Sequence, residues 1–251
     1  MPQLELHEIL KHVDLGKAKL DALRPLPSST AASLRESLAL DWTYNSNAIE
    51  GNTLTLSETK VVLEGITVGG KSLREHLEAV NHRDAIEYVE NLVKSREALT
   101  EQDILTLHGL VLKGIDSNEA GRYRRQNVII GGAKIRPPNF THVRDEIAAL
   151  LDWRKAAQAM HPIEREAQFH ARFEKIHPFI DGNGRTGRLL LNLELLKEGY
   201  PVAVIRREDR MQYYEALGKA DAQDDYTSLT RMVAEAVART QDLYLEVLTG
   251  K

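Results

Sequence analysis

The chain has 251 residues, 42% hydrophobic and 28% charged, the make-up of a water-soluble globule long enough to bury a substantial core. A formal net charge of −4 argues against a dedicated nucleic-acid binder, and the absence of cysteine removes disulfides, thiolate nucleophiles and Cys-ligated zinc. No run approaches the roughly 18 apolar residues of a membrane span, and the N-terminus mixes acids, bases and leucines unlike a signal peptide, so a cytoplasmic protein with no membrane contact is expected.

In chain order, apolar residues recur at spacings of three and four and predict helices. Leu6, Ile9, Leu10 and Val13 mark a first helix, which Pro25 and Pro27 interrupt. Leu34, Leu38, Trp42 and Ile49 mark a second, stopping at Gly51-Asn52, a C-cap signal. Further helices are expected over 56–65, 73–93 and 104–112. The period then changes. Asn127-Val128-Ile129-Ile130 and Ala133-Lys134-Ile135 flank Gly131-Gly132, the pattern of a β-hairpin that Pro137-Pro138 ends. Helices resume over 143–153, 163–176, 185–198, 208–217 and 228–248. No linker is long or polar enough to divide the chain.

The chemistry is concentrated in Ile176-His177-Pro178-Phe179-Ile180-Asp181-Gly182-Asn183-Gly184-Arg185-Thr186-Gly187-Arg188. This loop feeds a helix containing Leu189, Leu190, Leu191, Leu193, Leu195 and Leu196, apolar around most of its circumference and therefore expected to be central and buried. The N-terminus of such a helix offers free N–H groups and the positive end of the dipole, and Gly182 and Gly184 permit close approach of an anion. Arg185 and Arg188 are neighbours on the first turn, where cations oppose the dipole unless an anion compensates. Asp181 suits a hard cation such as Mg²⁺, and His177 suits a general base near neutral pH. The combination points to nucleotide or phosphoryl chemistry. Each part also has a plainer reading: a Gly-Asn-Gly turn, a histidine capping a helix, an arginine pair on a solvated face. Zinc lacks an HExxH or a third ligand at suitable spacing, and no GxxxxGK[ST] phosphate loop exists.

Taken together, His177, Pro178, Phe179, Asp181, Gly182, Asn183, Gly184, Arg185 and Arg188 fill every specified position of the Fic family signature HPFx[DE]GNGRxxR, and the chain resembles that family over most of its length. The resemblance implies a mainly α fold, a Fic-type helical domain with a central buried helix and one β-hairpin flap. It implies N-terminal helices over 1–55 and a catalytic core over 56–251, packed as one globular unit. It also implies an activity: AMP passes from ATP to a Ser, Thr or Tyr hydroxyl of a protein. His177 is then the base and Asp181 the Mg²⁺ ligand. Gly182, Asn183 and Gly184 hold phosphate oxygens, Arg185 the outer phosphates and Arg188 the γ-phosphate. Gly121-Arg122-Tyr123-Arg124 and the segment Val128, Ile129, Ile130, Gly131 and Gly132 resemble the flap that clamps target backbone, though a plain edge hairpin reads the same way. Tyr213 and Tyr214 resemble an adenine-pocket segment, which departs from the family at Asp221, where an Asn is common. Gly184, which is Lys in the kinase-like Doc relatives, favours adenylyl over phosphoryl transfer.

Ser46-Asn47-Ala48-Ile49-Glu50-Gly51 fits a second family pattern, [ST]xxxE[GN], in which the resemblance implies that Glu50 forms a bidentate pair with Arg188 and takes the γ-phosphate's place. An ordinary helix-end carboxylate is the plain alternative. The competing functions are removal of AMP, with Glu50 positioning a water, a catalytically silent nucleotide-binding module, and transfer of another phosphate-linked group. The partners implied are ATP and a hydroxyl-bearing protein, this chain itself included. The N-terminal leucines suit either the core or a homodimer face.

Overall fold

The computed structural model describes residues 5–131 and 136–250. Among them are ten α-helices: α1 Leu6–Ala22, α2 Ser28–Ile49, α3 Leu56–Leu63, α4 Leu73–Ser95, α5 Glu101–Val111, α6 Val143–Ala156, α7 Pro162–Ile176, α8 Asn183–Lys197, α9 Arg210–Gln223 and α10 Thr227–Thr249. Local chemistry sets many of the ends. Thr55 with Glu58, Ser72 with Glu75 and Thr100 with Asp103 form capping boxes at α3, α4 and α5. Pro162 opens α7, and Pro178 closes it by disfavouring helical geometry at His177.

The leucine-rich α8 is the hub. Leu189, Leu190, Leu191, Leu193 and Leu195 are all fully buried. Leu189, Leu190 and Leu193 join a core with Trp42 of α2, Ile86 of α4, Ile104 of α5 and Phe169 of α7. Leu191 and Leu195 face the other way, into a core with Val13 of α1, Ile49 of α2, Tyr213 of α9 and Val233 of α10. A helix sharing two cores has no side left for solvent, which is why its apolar residues ignore a one-stripe pattern. Two of its buried polar residues, farther along the helix, are matched by partners. Asn192 exchanges hydrogen bonds with the backbone of Ala203, at 2.7 and 3.2 Å, and Glu194 pairs with Arg154. The helices before residue 56 thus share both cores with the rest. No helix among the described residues is long and apolar enough to cross a membrane.

The expected hairpin is corrected here. No strand occurs among the described residues, and Val128, Ile129 and Ile130 lie in irregular backbone leading to a turn at Gly131. Gly132 and the second arm over 133–135 lie outside the described residues. A lone two-stranded hairpin is marginal without a third strand or a covering layer, and Ile129 is 80% exposed. The base of this segment is nonetheless fixed. The buried Arg124 guanidinium donates to the carbonyls of Gln126, Pro138 and His177, at 2.6–3.1 Å.

If α8 is the shared wall of two cores, Leu190→Ala should lower the unfolding free energy by about 2–5 kcal/mol. Urea unfolding measures this, and a loss below about 1 kcal/mol would contradict the assignment.

Candidate active site

The site grows from the junction of α7 and α8. His177 sits at the end of α7 in the left-handed region, φ 48°, rare for a residue with a side chain. This conformation turns the chain sharply into Pro178. Gly182, φ 77°, reverses it again before α8 begins at Asn183. Helix α8 therefore starts two residues earlier than the leucine pattern suggests, and Gly184 lies inside its first turn. Asn183 does not aim its side chain outward. Its amide both accepts from and donates to the backbone of Phe179, each at 2.9 Å, and so clasps the loop. Anion binding by this turn rests on its unshared N–H groups.

The loop is also held from α5. His108 stacks on Phe179 with ring centroids 3.6 Å apart, accepts from Gly121 N–H at Nδ1 and donates from Nε2 to the Asp181 carbonyl at 3.0 Å. These two bonds fix the tautomer.

Arg188 is buried and charged. Its Nε and Nη2 donate to the Ser46 hydroxyl and carbonyl at 3.1 and 2.8 Å, and Nη2 also reaches Glu50 Oε1 at 2.7 Å. Tyr213 lies 3.5 Å from Nη1. The expected bidentate pair with Glu50 is thus one-pronged, because Ser46 takes the other face of the guanidinium. Glu50 caps α2 through a Schellman turn. Gly51 N–H donates to Ala48 and Asn52 N–H to Asn47, with Gly51 at φ 99°. A side chain on Gly184 would overlap Glu50 Oε1 and stand 3.0 Å from its Cδ, so this glycine makes the room that the carboxylate fills.

Asp181 and Arg185 complete the turn. Asp181 Oδ1 accepts from Gly182 N–H at 2.6 Å and from Arg185 at 3.1 Å, and Oδ2 takes Arg74 of α4. Burial would raise the Asp181 carboxyl, but Arg185, the Gly182 N–H and Arg74 together hold it below the ordinary carboxylate range. Arg185, 2% exposed, also pairs with Glu78 of α4 at 3.1 Å. Glu78 binds Asn52 as well, at 2.9 Å, joining this turn to the end of α2.

His177 is held below the usual imidazole range by burial, and its Nδ1 lacks a well-formed hydrogen bond. A neutral imidazole with a free nitrogen is what a general base requires. The groups Asp181, Arg185, Arg188, His177, Ser46 and Glu50 are thus brought into one cluster. The residues of the expected adenine pocket lie on α9. Tyr213 is buried and bonds His170 Nε2 at 2.6 Å, supporting Arg188 rather than offering an open ring face. Tyr214 is 40% exposed, under Arg210. Asp221 on α9 is tied to Lys175 at 3.2 Å. Sequence reasoning missed Arg74, Glu78, His108 and His170. The first two read as an ordinary i, i+4 surface pair, and the histidines as apolar-face residues.

Comparison with known proteins decides the family. The model of the Fic/DOC family matches residues 98–195. A structure of Fic-1 from C. elegans superposes with a TM-score of 0.88 at 31% identity, covering 98% of this chain and 73% of that one. The chain belongs to the Fic family. A Fic-domain signaling protein from Bacteroides thetaiotaomicron superposes at 0.85 with 28% identity and 97% coverage of both chains. A curated protein adenylyltransferase Fic of Nematostella vectensis is 38% identical over 246 residues, 96% of this chain but 57% of its own length. The chain spans about half the length of the curated relatives it matches.

The electrostatics of this Fic site leave a signature in folding. Burial holds His82 and His170 down to about 3, with Arg188 adding to the effect, and holds His108 down to about 4. Such bases fold neutral. Their stabilisation is complete above pH 6.5 and is lost as pH falls towards 4. Burial pushes Glu174 up to about 8, which works in the opposite direction between about pH 8 and 4.5. Three imidazoles outweigh one carboxyl, so stability should fall between pH 6.5 and 5 in thermal melts. Glu174→Gln should steepen the fall, and a flat profile would refute this charge assignment.

Proposed function

We propose that this chain is a protein adenylyltransferase held off in cis by Glu50. The observation that carries the reading is the state of Arg188: a buried guanidinium on the second turn of an anion-binding helix, with a partly exposed carboxylate as its partner. A group that must always carry a counter-charge there, with the counter-charge on another helix's end, is a seat shared between an acid and a phosphate. The curated relatives' name, protein adenylyltransferase, supports the same reading.

The chemistry follows from the residues. The target hydroxyl oxygen forms a bond to the α-phosphorus of ATP as its proton passes to the neutral imidazole of His177. The bond from that phosphorus to the bridging oxygen breaks, and pyrophosphate leaves. Arg188 and Arg185 receive the outer phosphates, while the N–H groups of Asn183, Gly184 and Arg185 face the developing charge. Asp181, with one partly exposed carboxylate, fits Mg²⁺, which takes one or two carboxylates and completes its shell with phosphate oxygens and water. When bound, Mg²⁺ supplies neutralisation of the phosphate charge. The segment Val128–Gly131, pinned at its base by Arg124, is the part of the chain that meets the target backbone.

The inhibited state is steric as well as electrostatic, since Glu50 fills the space beside Gly184. Glu50→Gly should raise incorporation of labelled AMP from Mg²⁺-ATP by roughly tenfold or more, because an ion pair of this burial is worth on the order of 1.5–3 kcal/mol. Adding His177→Ala should abolish it. An inert Glu50→Gly protein, tested on itself and on a native lysate, would overturn the forward reading. Release of AMP from a pre-modified target by the parent chain, lost in Glu50→Gly, would instead assign Glu50 to removal.

A further inference from the structure

Two carboxylates and two guanidiniums alternate around the entrance of α8: Asp181, Arg185, Glu78 and Arg74. Their charges balance. Arg185 is 2% exposed and fixed by both acids, whereas the Arg74 side chain is 55% exposed. Nothing local to α4 favours Arg74 where it stands. It lies in the first turn, where the dipole repels a cation. Its i, i+4 partner Glu78 follows it, the weaker order for such a pair. Its defining contact is across the site, from Nη2 to Asp181 Oδ2, the carboxylate oxygen that neither Gly182 nor Arg185 uses.

Resting on the reading of Asp181 as the metal carboxylate, we propose that Arg74 is a positioning residue that stands in for the divalent cation. Its guanidinium neutralises Asp181 Oδ2 while the nucleotide seat is empty, and it gives way when the cation arrives. A cation seated on Asp181 takes Oδ2, the oxygen that the exposed Arg74 guanidinium holds, so Arg74 is the group that gives way. Arg74 keeps its Nε on Glu78 at 3.1 Å and stays tethered at the rim. Arg74 therefore weakens cation binding and sets how much Mg²⁺ the enzyme needs.

The test uses the full chain with Glu50→Gly, Mn²⁺ as the probe, and an ATP analogue with a methylene between the α- and β-phosphorus. Free Mn²⁺ is read by electron paramagnetic resonance, without turnover. Arg74→Gln should bind Mn²⁺ roughly two- to fivefold more tightly, the scale of one exposed ion pair. Arg74→Lys should stay near the parent, and Asp181→Asn should erase the difference. A disturbed fold would weaken binding, so the expected gain separates positioning from structural damage. Equal or weaker Mn²⁺ binding in Arg74→Gln overturns this inference alone. No Mn²⁺ binding in Glu50→Gly itself overturns the metal reading of Asp181, and the inference with it.

Discussion

A permanently charged guanidinium sits inside the wall between two cores, and the arrangement of the first turn of α8 follows from it. Arg188 cannot shed its proton, and an uncompensated charge at that depth would cost several kcal/mol. The chain answers with Ser46 on one edge, Tyr213 on another and Glu50 on the last open position. Only the first two belong to residues shut in the core. The third comes from the rim, where its carboxylate is partly open to water.

The same turn is serviced from every side. Helix α2 supplies Ser46 and Glu50, α4 Glu78 and Arg74, α5 His108, α7 His170 and His177, and α9 Tyr213. Glu78 is the link between the two functional ends of this set, because its carboxylate meets Arg185 on one side and Asn52, just past the Schellman turn, on the other. The imidazoles around Arg185 and Arg188 stay neutral, so the charges that balance the arginines come from the carboxylates Asp181, Glu78 and Glu50.

Much of this was legible in the residue order, and the parts that were not have physical causes. Helices with one apolar stripe or a capping box, such as α3, α4 and α7, announce themselves through local energetics. The leucine run of α8 announced burial, but its start was hidden, since Gly182 and not the apolar pattern decides where the helix begins. No strand is seen over 128–131 among the described residues, because short apolar runs around Gly-Gly describe a pairing tendency, and pairing needs a partner layer that no local pattern contains. In the site, the signature loop stood out by its residue types and spacing, whereas Glu50 was readable only through the resemblance to the Fic family. Arg74 and Glu78 were not, since their meaning lies in contacts with residues about 100 positions away, and a short-range pair on a helix face looks the same with or without them. The side chain of Asn183 closes its own loop on Phe179, a role that only the fold makes visible.

The boundary between Ile49 and Glu50 is a boundary between oil and water. Ile49 is fully buried in the core, while the side chain of the next residue is 31% exposed. The backbone at this turn is therefore anchored one residue before a carboxylate at the rim. Glu50 thus meets the buried Arg188 from a position that water reaches, through its side chain and not through its backbone. A molecule at the outer flank of this turn meets a carboxylate that touches Arg188 without having to enter the core.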